Sequence, residues 1–269
     1  MAKFFRNKRT DSIMNKKIKK YFFYAVGEII LVVIGILLAV GINNWNIEVN
    51  NSKQEAKILD QLLVEYTTNL EEIDNKISMR NMIVESVEKL FLYADYGFSE
   101  TSIDSVGLYI HRTTYDPTFD PADGVTNELL NSGKFYLLQN EELKNQLTSW
   151  FRVVSELNEQ EELTAKFVYE RYLPYILENF DYRSIKKTKT IVDNQMNKLY
   201  SKGETRKLNI KREISRETIE EILADKGVQS YMLMVGSLNQ AGNMKSIDTR
   251  DRILEILENI QSEIELKKS

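Results

Sequence analysis

The chain contains no cysteine, one histidine, three prolines and eleven glycines in 269 residues. Without a thiol there is no disulfide framework, no thiolate for metal binding or nucleophilic attack, and no attachment point for a lipoprotein lipid. One imidazole cannot assemble a histidine-rich zinc site, and with no Glu-x-x-His pair a di-iron carboxylate bundle is excluded. A Ser-His-Asp hydrolase would have to use His111, yet no Gly-x-Ser-x-Gly elbow accompanies it. Following Tyr109 and Ile110, His111 reads as a surface or half-buried side chain. Gly124, Gly133, Gly203 and Gly236 stand alone, so no glycine-rich phosphate loop is present. Neither alternating apolar patterns nor Asn-Gly turns mark out a sheet, and Lys134 to Gln139 is the best short strand candidate. The expectation is a chain with no catalytic residues, no cofactor and no metal.

What the sequence does have is a long apolar run. Tyr21 to Ile42 reads YFFYAVGEIILVVIGILLAVGI, with Glu28 as its only formal charge. At about 1.5 Å per helical residue, 22 residues cross the hydrocarbon core of a bilayer. The preceding twenty residues hold eight lysines and arginines against one acid, Asp11, whereas Asn43 to Asp60 has only Lys53 and Lys57 as bases. Because orientation follows Lys and Arg near the membrane, the sequence predicts a cytoplasmic N-terminus and an exported remainder. Removing that tail's bases and acid from the chain totals of 36 and 40 leaves 28 bases and 39 acids, a net of −11. Such an acidic surface repels nucleic acid, while the basic tail suits an anionic inner leaflet. Ala39-Val40-Gly41 places small residues where a signal peptidase reads. The apolar run is nevertheless longer than a signal h-region, and Trp45 lies where interfacial indoles anchor spanning helices, so a retained anchor is expected.

Within the span, Gly35 and Ala39 form a small-xxx-small pair, and Glu28 lies two turns earlier on the same face, with Ile42 completing the stripe. A carboxyl inside the bilayer pairs, protonates or reaches for the headgroups. Two readings stand side by side: a helix-to-helix contact, in a homo-oligomer or with another membrane protein, or an edge carboxylate paired locally with Lys20.

MAKFF at the start and KKYFFYAVGEIILVVIGILLAVGINNWN from Lys19 to Asn46 resemble the N-terminal signature of an uncharacterised domain-of-unknown-function family of bacterial single-pass membrane proteins. A weaker echo runs from Glu128 through Gly133 and Asn140 to Trp150. The resemblance implies an anchored, mostly helical protein in the bacterial inner membrane and carries over no catalytic residue.

Past the membrane, Leu59, Leu62, Tyr66, Leu70, Ile73 and Ile77 recur at helical spacing, continued by Ile83, Val87, Leu90 and Phe91. No proline or glycine interrupts Ile42 to Tyr96, so one helix of up to about 50 residues is expected there. Its apolar pairs repeat at eleven residues rather than seven, which suits a bundle helix better than a left-handed coiled coil. Glu141 to Phe180 forms a second helical stretch that Pro174 would kink. A third, from about Thr218 to Glu265 with a break near Gly227, ends in Lys267 and Lys268, which suit a helix C-terminus. Arg183 to Lys189 and Tyr200 to Arg212 read as loops or weak helices. The expected class is all-α: a basic tail over 1–20, a transmembrane helix over 21–43, and one elongated exported (periplasmic) bundle over 44–269.

The densest polar cluster, Asp116-Pro117-Thr118-Phe119-Asp120-Pro121-Ala122-Asp123-Gly124, offers carboxylates of the kind a hard cation takes. Capping explains it more simply: Asp120 before Pro121 starts a helix, Asp123 favours its dipole, and Gly133 closes it in the left-handed conformation. Phe167, Tyr169, Tyr172, Tyr175 and Phe180 read as core or interface rather than as a ligand groove. The leading functional reading is a non-enzymatic interaction or scaffold module. A ligand-binding sensor bundle relaying through a membrane partner is the alternative, weakened by a twenty-residue tail that cannot house an output domain. An enzyme using Asp116, Asp120 and Asp123 ranks third.

Overall fold

A computed structural model describes residues 2–184 and 215–268, with side chains from Tyr21 onward. Helices and short helical turns make up the regular structure of the described residues, with no strand among them. They comprise α1 (Ala2–Tyr96), α2 (Ile103–Arg112), α3 (Gly124–Asn131), α4 (Glu141–Phe167), α5 (Leu173–Asn179), α6 (Arg216–Ala224) and α7 (Lys226–Lys268). Two compact units divide the chain, Met1–Lys57 and Ile58–Ser269. The loop expectations for 185–189 and for Tyr200 to Arg212 lie outside the described residues.

In the first unit, the chain forms helix through the apolar run. Its large side chains are left exposed: Leu31 and Leu38 are 72% and 62% exposed. This is the one described helix long and apolar enough to cross a membrane, and none of its most apolar stretch is buried.

In the second unit, the stripe expected on α1 faces inward, with Leu59, Leu62, Tyr66, Ile73 and Ile83 fully buried. Burying a Leu or Ile side chain contributes about 1.5–3 kcal/mol, so this face dominates the helix's stability. Helix α1 ends at Tyr96 because Gly97 takes φ +76° and returns its amide to the Tyr93 carbonyl at 2.9 Å. Helices α4 and α7 run antiparallel: Gln146 bonds Asn259 at 3.0 Å, Glu156 lies 3.7 Å from Lys245, and Phe167 packs on Tyr231. Helix α7 also runs antiparallel to α1, with Arg250 on Asp74 at 2.6 Å and Asn243 on Asn81 at 2.7 Å. Two apolar clusters result. One gathers Leu59, Tyr66, Trp150 and Ile256, with Tyr66 and Trp150 edge to face at 5.3 Å. The other gathers Ile83, Ile110, Tyr172, Ile222 and Val235.

Several local expectations are corrected. Lys134–Leu137 is a 3-10 turn rather than a strand. Gly133 at φ +72° reverses the chain there, and the turn buries Leu137 and Leu138 before Asn140 caps α4 by accepting from the Leu143 amide at 2.9 Å. Between α4 and α5, Val168–Tyr172 forms a π turn. Pro174 explains it: the ring has no amide to donate to the Glu170 carbonyl and clashes with it, so the preceding turn widens. The break expected near Gly227 is present and falls at Asp225. The Asp225 carboxylate accepts from the Val228 amide at 2.7 Å and fixes that start. Helix α2, which no apolar stripe had singled out, buries Val106 and Ile110.

Candidate functional site

Two features carry chemistry beyond apolar packing: the face of the apolar segment and a polar level inside the second unit.

On the apolar segment, Glu28 is exposed in a shallow, open depression lined by Phe23, Tyr24, Gly27 and Leu31. Gly27 contributes the notch by lacking a side chain. Gly35 has nothing within 4 Å of where a Cβ would stand, and Ala39 is exposed on the same helix. Trp45 follows at 67% exposure. Glu28, Gly35 and Ala39 therefore share one unobstructed helix.

Inside the second unit, the segment from Pro117 to Ala122 is not a helix start. It is an extended strap whose backbone is held by side chains of α1 and α4. Asn69 bonds Ala122 in both directions, accepting from its amide at 2.8 Å and donating to its carbonyl at 2.8 Å. Glu72 accepts from the Asp120 amide at 3.2 Å. Glu161 accepts from the Phe119 amide at 3.0 Å, and Arg80 donates to the Pro117 carbonyl at 2.8 Å. The Ala122 amide, which an Asp120 cap would have to satisfy, is held by Asn69, and Asp120 and Pro121 do not begin a helix. That expectation is corrected: the helix begins at Gly124, with Asp123 at the N-cap position but making no side-chain capping bond. Glu65 supplies the cap instead, accepting from the Val125 amide at 2.6 Å and the Thr126 amide at 3.1 Å. A carboxylate there also complements the helix dipole. Gly133 ends the helix in the left-handed conformation, as the sequence indicates.

Arg80 and Glu161 form a buried ion pair, their side chains 3% and 4% exposed. Arg80 also donates to the Ser246 hydroxyl at 2.6 Å. Burial pushes the Glu161 carboxyl above the ordinary carboxylate range, opposed by the Arg80 charge and the Phe119 amide. Glu161 and Thr164 on α4 and Asn239, Asn243, Ser246 and Thr249 on α7 are buried at this level, between the two apolar clusters. Sequence reading missed the pair, because Arg80 and Glu161 are 81 residues apart and neither lies in a motif.

The three aspartates do not converge. Asp116 accepts from the Tyr169 hydroxyl at 2.7 Å, a bond that pushes the Tyr169 phenol up to about 12. Asp120 is exposed on the strap and Asp123 stands at the helix start. Among the described residues no three His, Cys, Asp or Glu side chains group as a metal site. His111 is half-buried, with Nδ1 3.0 Å from the Tyr182 hydroxyl. Phe167, Tyr172 and Tyr175 gather around Tyr231 at 5.1 to 6.0 Å between ring centres, whereas Tyr169 is exposed.

The chain matches no family model, no curated protein and no solved structure.

Proposed function

We propose that this chain is a single-pass bacterial inner-membrane protein, N-terminus cytoplasmic, whose exported helical unit serves protein contacts as a scaffold or interaction module rather than as an enzyme. One observation carries the reading. Tyr21–Ile42 is helical, holds one charged residue and leaves its large side chains uncovered, whereas the second unit buries its apolar stripes. An uncovered run of that length is stable only where lipid or another protein covers it. The basic flank supports the orientation. The likeness of Lys19 to Asn46 to the anchored family points the same way.

The decisive experiment fuses alkaline phosphatase or green fluorescent protein to the C-terminus of the full chain in a bacterial host. Phosphatase activity without fluorescence, in a product that resists carbonate extraction and keeps its N-terminus, is the expected outcome. Fluorescence overturns the orientation, and a mature N-terminus near Ile42 overturns the anchor.

The same reading assigns the Glu28, Gly35 and Ala39 face to contact between membrane helices, in a homo-oligomer or with another membrane protein. Small residues let two helices approach, and an acidic side chain in lipid favours a bonded partner. Crosslinking in intact membranes should give discrete adducts that Glu28→Leu and Gly35→Leu weaken. Adducts unchanged by both variants overturn the contact.

A further inference from the structure

Three buried polar atoms at the polar level have no partner: Gln160 Nε2 on α4, and Asn239 Oδ1 and Asn243 Oδ1 on α7. Asn239 is 1% exposed and Asn243 8%. The antiparallel register places them at one level of the bundle. Glu156 meets Lys245 and Phe167 meets Tyr231, so Gln160 comes level with the turn from Asn239 to Asn243. Asn239 and Asn243 are four residues apart and share a helix face. Their amide nitrogens are already committed: Asn239 Nδ2 donates to the Val235 carbonyl at 2.9 Å, and Asn243 Nδ2 donates to Asn81 Oδ1 at 2.7 Å. A carbonyl partner fixes the Asn239 amide with its oxygen toward the unsatisfied side.

We infer that one internal water molecule is a built component of the bundle, bridging Gln160 Nε2, Asn239 Oδ1 and Asn243 Oδ1. The donor set selects water over other small ligands. The unpartnered atoms are one donor nitrogen and two carbonyl-type acceptors, and water accepts one bond while donating two. An anion would face two carbonyl oxygens, and a metal cation or ammonium would face the Gln160 amide hydrogens. Buried waters typically make about three such bonds, and a buried polar group left without one costs roughly 1–3 kcal/mol. Gly236 and Gly242 keep α7 close to α1 here: a Cβ on Gly242 would stand 3.2 Å from Arg80 Nε, and one on Gly236 3.3 Å from Val87. The close helix approach favours a single water over a larger ligand.

A crystal structure of the full chain in detergent, at about 1.8 Å or better, tests this directly. The expected result is one spherical density peak within hydrogen-bond distance, about 3 Å, of all three atoms. Absence of a peak, a peak on only one of the three, or a direct bond from Gln160 Nε2 to Asn239 Oδ1 overturns it. In solution, the Gln160 side-chain amide should show cross-relaxation to water with the sign of a long-lived contact, assigned by its disappearance in Gln160→Leu. Asn239→Leu should remove the density peak and the water contact at the retained Gln160 amide. Should that variant not fold, the unmodified chain's density decides alone.

Discussion

Glu65 caps a helix that begins almost sixty residues after it: Oε1 accepts from both the amide and the hydroxyl of Thr126, the latter at 2.6 Å. Tyr66, the next residue, places its hydroxyl 3.2 Å from the same Thr126 oxygen. One turn of α1 therefore holds the start of α3.

Exchanging the capping residues separates this arrangement from a local cap. Glu65→Ala should lower stability by about 1.5–3 kcal/mol, the range for hydrogen bonds to a charged group. Asp123→Ala, which removes no side-chain capping bond, should stay within about 0.5 kcal/mol. Thermal unfolding of the full chain followed by circular dichroism reads both, at roughly 2–4 °C per kcal/mol. Equal losses for the two variants would contradict the cap from α1.

Breaking the buried ion pair should be expensive. Arg80→Met or Glu161→Leu alone strands one charge in the core and should cost about 3–5 kcal/mol. The double variant should cost less than the two single losses together by more than about 1 kcal/mol, because neither charge remains. Denaturant titration of the three variants provides the cycle, and simple additivity would argue against the pairing.

Alkali should unfold the bundle through its interior phenols. Tyr66 and Tyr172 are fully buried, and burial pushes both well above the ordinary phenol value of 10.0. As pH rises through about 10, the unfolded chain releases protons that the folded chain keeps. The unfolded state then binds fewer protons, and stability falls by about 1.4 kcal/mol per pH unit for each of the two. Absorbance at 295 nm should show the exposed tyrosines ionising first and these two only on unfolding. Tyr172→Phe should flatten the alkaline slope, and an unchanged slope would count against its burial.

Glycine substitutions should diverge by backbone conformation. Gly97→Ala and Gly133→Ala place a Cβ on φ of +76° and +72° and should cost about 1–2 kcal/mol each. Gly124, helical and with open space where a Cβ would stand, should tolerate Ala with a gain of up to about 1 kcal/mol. Melting temperatures of the three variants give the comparison.

The contrast between α1 and the strap shows how much could be read in the chain. The stripe from Leu59 to Ile83 and the stop at Gly97 are local patterns, repeated every three to four residues or set by one backbone angle, and they describe α1 correctly in this unit. Pro174 likewise marked a disturbance, though its form, a widened turn, depended on which carbonyl the ring met. The strap was misread for a physical reason. Asp120-Pro121 has the composition of a helix start, but the amides of Phe119, Asp120 and Ala122 are claimed by Glu161, Glu72 and Asn69, far away in the chain. Glu65, Asn69 and Glu72 also follow helical spacing, and in sequence they are indistinguishable from an ordinary solvated face. Nothing local connects them to residues 119–126, nor Arg80 to Glu161.

The polar level between the two apolar clusters has a consequence for axial alignment. Stripes of leucine and isoleucine on α1, α4 and α7 accept one another at several offsets, since sliding a helix by one turn, about 5.4 Å, trades one aliphatic contact for a similar one. Arg80, Glu161 and Ser246 do not permit that exchange. Slip α1 or α4 by a turn, and a buried guanidinium or carboxylate is left without its counterpart; slip α7, and Arg80 loses the Ser246 hydroxyl. The layer acts as a vernier on three long rods: it adds little to how tightly they hold, and it sets the single mark at which they line up.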